Sequence, residues 1–301
     1  MPKFNFLNLT IIVIITLSIS YLVYATLTPF NPNKKMYYGV VDPNNDFKNN
    51  TNIDIEHHFT VWSDGYNTDF ANKLEDALSK KRIPMITIEP WALDSKKAWD
   101  YKDLVSERYG KVITDICQIV DNKKKKVIIR WAHEMEQPSQ RYPWANGDSA
   151  GFIKAYQFFV DTCRSATPFV EFMWSPAGKA NMDLFYPGSR YVDLIGLSTF
   201  GNPEFEVKTL GKAYSFEDHF NERYNRTIKY QKDVYLAEFG VAGDDSYKAK
   251  WLKQAKLSIL NPLRYPNLKG IVYFQFSDPK PWVEGTSAPD FRIAPNIFPM
   301  N

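Results

Sequence analysis

VIIRWAHEM, residues 127–135, and VYLAEFG, residues 234–240, decide how this chain is read. Each is a short apolar run, rich in β-branched or aromatic residues, that leads into a glutamate: Glu134 in the first, Glu238 in the second. A carboxylate at the end of a core strand is expensive unless it has a partner or a chemical task. Two of them, on strands that lie 104 positions apart (238 − 134), suggest a paired-carboxylate site, the chemistry of glycoside hydrolysis.

Working outward, strand-like and helix-like segments alternate along the chain. Candidate strands are MYYGVV (36–41), HFTVW (58–62), PMITIE (84–89), VIIRWA (127–132), VEFMW (170–174), VDLIGLSTF (192–200), VYLAEF (234–239) and IVYFQF (271–276). Amphipathic stretches fall between them at 69–81, 101–121, 149–166, 216–230 and 246–260, and Asp148 and Asp245 stand where N-caps are wanted. Alternation of this kind argues for a parallel sheet. Eight strands predict an α/β fold, the (β/α)8 TIM barrel, whose active sites lie at the C-terminal ends of the strands. An open doubly wound sheet is the competing fold, but the first strand is not followed by a glycine-rich phosphate loop. Residues 42–57 and 177–191 carry little helix signal.

At 301 residues the chain has room for one such barrel. Its 37 basic and 34 acidic side chains give a net charge of +3, without the electrostatic footprint of a nucleic-acid binder. The lysine run 123–126 precedes an apolar strand and reads as a solvated helix-to-strand loop. Aromatic residues make up 16% of the chain, which suits the C–H faces of sugars and equally suits a large core. Cys117 and Cys163 are compatible with one disulfide or with two buried thiols.

Leu9 to Leu27 is an apolar stretch of 19 residues (27 − 9 + 1), flanked by Lys3 and by Lys34 and Lys35. At about 1.5 Å per residue it is long enough to span a bilayer. An uncleaved signal-anchor is expected, with a cleaved signal peptide ending near Ala25 as the alternative. Either way residues 36–301 are expected outside the cytoplasm as a catalytic barrel, and residues 1–35 form the membrane segment and linker. A monomer is expected.

The strand period of two puts Arg130, Ala132 and Glu134 on one face, and Val234, Leu236 and Glu238 on another. Arg130 could then hold a neighbouring carboxylate ionised, and His133 could donate to a substrate hydroxyl. HEMEQ is not H-E-x-x-H, His57 and His58 point to opposite faces, and G-x-S-x-G does not occur, so neither a metal nor a cofactor is expected.

The string RWAHEM at 130–135, followed by Tyr142 and Trp144, resembles the acid/base strand of glycoside hydrolase family 26. MWSPAG (173–178), YPGSRYVDLIGLS (186–198) and DFRI (290–293) are similar to the family's later segments. The resemblance implies a retaining endo-β-glycanase, mannanase-like or glucanase-like, on a (β/α)8 barrel. Glu134 would be the acid/base at the end of strand four and Glu238 the nucleophile at the end of strand seven. His133 would stand where related families place an asparagine, near the sugar in the −1 subsite. One departure is plain. Ser198-Thr199-Phe200 replaces an aspartate and a tyrosine found in many members, and phenylalanine cannot make the tyrosine's hydrogen bond to the nucleophile.

Trp62, Trp91, Trp174 and Trp282 stand at or after strand ends, as sugar platforms would, with Phe200 beside the nucleophile strand. The expected partner is a β-linked polysaccharide. The competing function is a non-catalytic polysaccharide-binding barrel that works beside exopolysaccharide synthesis or export.

Overall fold

The computed structural model describes residues 35–62, 66–93, 100–138, 141–261 and 263–298. The apolar stretch 9–27 lies outside these, and among the described residues no helix is long and apolar enough to cross a membrane.

Eight parallel strands close into a barrel in sequence order: β1 (Tyr37–Val41), β2 (Ile55–Val61), β3 (Ile83–Glu89), β4 (Val127–Trp131), β5 (Val170–Trp174), β6 (Leu194–Gly201), β7 (Asp233–Val241) and β8 (Leu268–Phe274). β8 closes on β1, with Tyr37 opposite Gly270. The helices are α1 (Tyr66–Ser79), α2 (Tyr101–Leu104), α3 (Glu107–Lys123), α4 (Ser149–Ala166), α5 (Pro203–Leu210), α6 (Phe216–Thr227) and α7 (Asp245–Ile259).

Two apolar clusters account for the layers. Ile55, Met85, Ile128, Met173, Tyr235 and Val272 fill the barrel interior, while Ile129, Trp131, Leu236 and their neighbours pack against the helices. α3 shows how the sequence builds that outer layer. Tyr109, Val112, Ile113, Ile116, Cys117 and Val120 recur at helical spacing and are all buried. Lys124 then ends the helix in the left-handed conformation (φ 50°), its N–H donating to the Asp121 carbonyl. Cys117 is bonded to Cys163 of α4, so the thiol alternative gives way to a disulfide that joins adjacent helices.

Several boundaries differ from the sequence reading, each for a local reason. The expected helix 101–121 is two helices, because Ser106 takes an extended φ/ψ and restarts the chain. Asp244, not Asp245, caps α7 by accepting from the Tyr247 N–H. α5 is an additional helix, which Asn202 caps and Pro203 opens, the usual start signals. The β1–β2 connection holds no helix. Asp42 accepts from Asp46 and Phe47 N–H groups, and Arg82, paired to buried Glu56 at 2.5 Å, donates to the Phe47 and Asn50 carbonyls.

Candidate active site

Arg130 is the one inward-facing charge of β4, wholly buried, and polar groups from three other strands meet it. Its Nε donates to Ser175 Oγ (2.8 Å), Nη1 to Thr87 Oγ1 (3.3 Å) and Nη2 to Ser198 Oγ (3.3 Å). Nη1 also lies 2.7 Å from Glu238 Oε1. Gly196 leaves room for this assembly, since a Cβ there would stand 2.8 Å from Ser175 Oγ. Thr87 is bonded in turn to the His57 ring at 2.7 Å.

Glu238 reaches the interior by a route that the simple strand period does not give. Val234 and Leu236 face the helices, so strict alternation would send Glu238 outward with them. The β6–β7 register steps from Leu197↔Leu236 to Ser198↔Glu238, which makes Ala237 an extra residue. This β-bulge reverses the facing of Glu238. The expected face of β7 is therefore corrected: Glu238 is 8% exposed inside the barrel mouth, opposite Ser198.

Glu134 also departs from the expected strand face. β4 ends at Trp131, and both Ala132 (φ 49°) and Glu134 (φ 57°) are left-handed, a conformation that costs a non-glycine residue energy. The turn is held by Ala132 N–H donating to the Ile88 carbonyl and Glu134 N–H to that of Ser175. Its direction thus comes from this tied turn, and Glu134 is partly exposed where Glu238 is buried. Burial raises the Glu238 carboxyl above the ordinary range, the Glu134 charge adds to this, and the Arg130 guanidinium opposes both.

His133 is buried, in edge contact with Phe59 and Tyr142, and neither ring nitrogen has a hydrogen-bond partner. Burial, aided by Arg130, Arg141 and His57, holds it well below the ordinary imidazole range, so the ring is neutral. Tyr142 stacks on Trp144 at 4.8 Å. Burial and both glutamates push its phenol up, so it keeps its proton.

The four tryptophans divide. Trp91 and Trp282 are each 37% exposed, and their indole N–H groups donate to Glu89 (3.0 Å) and Asp278 (2.5 Å). Trp91 meets Trp144 edge-on, and Trp282 packs on Phe200, Phe205 and Phe291. Trp62 and Trp174 are core rings and not platforms. Trp62 packs on Tyr109, Trp131 and Phe159, and Trp174 on Tyr186 and Tyr230. A β-strand end has two sides, and these two indoles take the helix side.

Sequence reasoning missed Thr87, Ser175 and Glu136. The first two are polar side chains inside apolar strands or at their ends, and strand pairing brings Thr87 opposite Arg130. Glu136 is buried; it accepts from the Lys179 N–H, and Asn181 donates to its carbonyl, which fastens the loop after β5 to the Glu134 turn. Among the described residues one group has a metal-ligating arrangement, Glu56, His58 and Asp76. It lies at the opposite end of β2 from the site, and Lys80 and Arg82 already pair its carboxylates.

The sequence profile of glycosyl hydrolase family 26 matches residues 53–215, more than half of the chain. The chain belongs to glycosyl hydrolase family 26. Endoglucanase H of Acetivibrio thermocellus is 28% identical over 247 residues, covering 76% of this chain and 26% of that protein. The chain thus spans about a quarter of the length of that relative. Among solved structures, a family 26 β-mannanase of Bacteroides ovatus shares the fold at 16% identity and TM-score 0.56, covering 80% of this chain and 81% of that one. A modular endo-β-1,4-mannanase of Cellulomonas fimi does so at 15% identity and TM-score 0.58, covering 83% of this chain and 68% of that one. Within this family 26 chain Glu134 falls inside the matched stretch. Glu238 falls beyond it.

Proposed function

We propose that this family 26 chain is a retaining endo-β-glycanase, acting on a mannan-type or β-glucan polysaccharide with Glu134 and Glu238 in different roles. The observation that carries the reading is the 2.7 Å pair between buried Arg130 and Glu238, beside the partly exposed Glu134 on its own turn. A guanidinium at that distance keeps Glu238 available as an anion despite its burial. Glu238 Oε then attacks the anomeric carbon as the glycosidic C–O bond breaks, and Glu134 gives its proton to the leaving oxygen. In the second step Glu134 takes a proton from water, whose oxygen attacks the same carbon. Glu238 leaves as a carboxylate, and the configuration is retained. The neutral His133 ring keeps one N–H donor and one acceptor without a partner inside the protein, and either could meet a sugar hydroxyl once substrate opens the contact. Trp91 and Trp282 offer exposed ring faces.

Residues 9–27 serve as a membrane anchor with the barrel outside the cytoplasm, a placement that the Cys117–Cys163 disulfide favours. Secretion after cleavage is the alternative. We take the barrel to act as a monomer.

Glu134→Ala and Glu238→Ala test the roles on a panel of mannans, β-glucans and xylans. Each should lower kcat/KM by about 10²–10⁴-fold or more. Azide should rescue Glu238→Ala with an inverted glycosyl azide product, because a small nucleophile then takes the place of the missing carboxylate. Unchanged hydrolysis in both variants would refute the reading. The second reading, a non-catalytic polysaccharide-binding barrel beside an export or synthesis machine, is favoured by Phe200. Its ring packs into Phe274, Trp282 and Phe291 and offers Glu238 no hydroxyl. Retention of wild type in a glycan affinity gel without release of reducing ends would support it.

A further inference from the structure

The end of the barrel opposite the glutamates carries an apolar patch. Leu257 near the C-terminus of α7, and Leu260 and Leu263 on the segment that follows, are 68%, 46% and 77% exposed. Single exposed leucines are ordinary, whereas three within seven residues are not. The segment lies before β8, and β8 pairs with β1 from its first residues, Tyr37 opposite Gly270. β1 therefore starts at the same end of the barrel as the leucines, and the apolar stretch 9–27 precedes β1 in the sequence.

The segments that lead into the strands at this end carry more basic than acidic residues. The eight segments leading into the strands are 35–36, 51–54, 80–82, 124–126, 167–169, 186–193, 228–232 and 260–267. They hold eleven lysines and arginines against two aspartates, Asp54 and Asp193, in a chain whose totals are 37 and 34. Several of these cations are paired with carboxylates: Lys80 and Arg82 with Glu56, Lys126 with Glu171, Arg190 with Asp161, Lys229 with Asp183 and Arg264 with Glu217. Lys124 and Lys125, opposite β8 across the barrel, are exposed.

We infer that this end of the barrel docks on an anionic lipid surface. Leu257, Leu260 and Leu263 enter the headgroup layer, and the lysine-rich segments meet lipid phosphates. The inference rests on the anchor reading above, and it adds an orientation. Apolar side chains at an interface enter the boundary between headgroups and acyl chains, and basic residues near an anionic leaflet add attraction. The mouth holding Glu134 and Glu238 then faces away from the bilayer, toward polymer that the membrane itself would otherwise hinder.

The test uses the full chain in vesicles of phosphatidylglycerol and phosphatidylcholine that contain brominated acyl chains. Both native cysteines are in the disulfide, so Leu257→Cys, Leu263→Cys and a control, Val207→Cys, each give one thiol for an environment-sensitive fluorophore. Val207 is 55% exposed on α5, at the active-site end. Quenching at 257 and 263 should exceed that at 207 by about threefold or more, given the shallow burial of interfacial side chains. It should weaken when phosphatidylglycerol is replaced by phosphatidylcholine. Chains that float with vesicles while all three labels quench alike would overturn the docking and leave the anchor standing. Chains that do not float would overturn both. Labels at 257 and 263 shielded in detergent, with a doubled mass by light scattering, would assign the patch to a second copy and overturn the lipid surface.

Discussion

Arg130 Nη1 stands 2.7 Å from Glu238 Oε1, and the same guanidinium donates to Ser198, which in turn donates to that Oε1 at 3.4 Å. Two groups therefore hold the buried carboxylate, while Phe200 offers it no hydroxyl. Burial raises the Glu238 pKa, so activity that needs its anion is lost as pH falls through a value above the ordinary 4.5. Arg130 opposes that rise. Arg130→Met should move the acid limb of kcat/KM to higher pH, and breaking the buried pair should cost about 3–5 kcal/mol of stability. Ser198→Ala, the milder change, should shift the limb the same way and lower kcat about three- to tenfold with little effect on KM. A pH–rate profile on a soluble β-glycan decides the matter, and a limb that stays in place in both variants would refute the assigned roles.

The tryptophans make a separate test of where the cleft runs. Trp91→Ala and Trp282→Ala remove exposed rings whose packing neighbours are other aromatic rings rather than Glu134 or Glu238. Each should raise KM about three- to tenfold on polymer at nearly constant kcat, the mark of binding shared by ground and transition states. Trp62→Ala, by contrast, empties a core position between Trp131, Tyr109 and Phe159. It should cost about 3–5 kcal/mol by denaturant titration and leave KM unchanged in the folded fraction.

The eight strands were legible because β-branched and aromatic runs recur at regular intervals, and pattern of that kind is local. Glu134 and Glu238 stood out as candidates because a glutamate after an apolar strand is conspicuous. The facing of those glutamates was not. For Glu238 it depends on one extra residue, Ala237, in the β6–β7 ladder. For Glu134 it depends on two left-handed residues tied to carbonyls of β3 and of the residue after β5. Both are products of pairing between segments far apart in sequence, which periodicity within one strand does not contain. The split between Trp91 and Trp62 has the same origin: residues just past a strand end turn inward, outward or up according to the neighbouring loop.

The disulfide is a contribution to stability that the sequence left open. Cys117 and Cys163 are separated by 46 positions on adjacent helices. Loop-closure entropy for a ring of that size is worth about 4 kcal/mol, reduced by any structure left in the unfolded chain. Cys117→Ala with Cys163→Ala should lower the melting temperature while kcat/KM of the folded enzyme stays near that of wild type, since α3 and α4 lie outside the barrel. Calorimetry with and without reductant measures it, and an unchanged melting temperature in both comparisons would show that the bond adds nothing to the folded state.

His57 and His133 are both buried and both held well below the ordinary imidazole pKa of 6.5, first by burial and then by Arg130. In the unfolded chain each takes up a proton as pH falls through 6.5, and in the folded barrel neither does. The unfolded state thus binds more protons below that pH, so stability is fully present above 6.5 and is lost as the solution is acidified. Each histidine contributes a slope of up to about 1.4 kcal/mol per pH unit. The raised carboxyls of Glu136 and Glu238 act in the opposite sense at lower pH, so the comparison is made as a difference. His133→Asn keeps a small polar side chain at the position and removes one titrating group. Denaturant titrations of wild type and variant between pH 7 and 5.5 should show their stability difference shift in favour of the variant as the pH drops, by about 1 kcal/mol per unit. Parallel curves would mean that His133 takes a proton inside the folded barrel, and the neutral donor–acceptor role assigned to it at the sugar would have to be withdrawn.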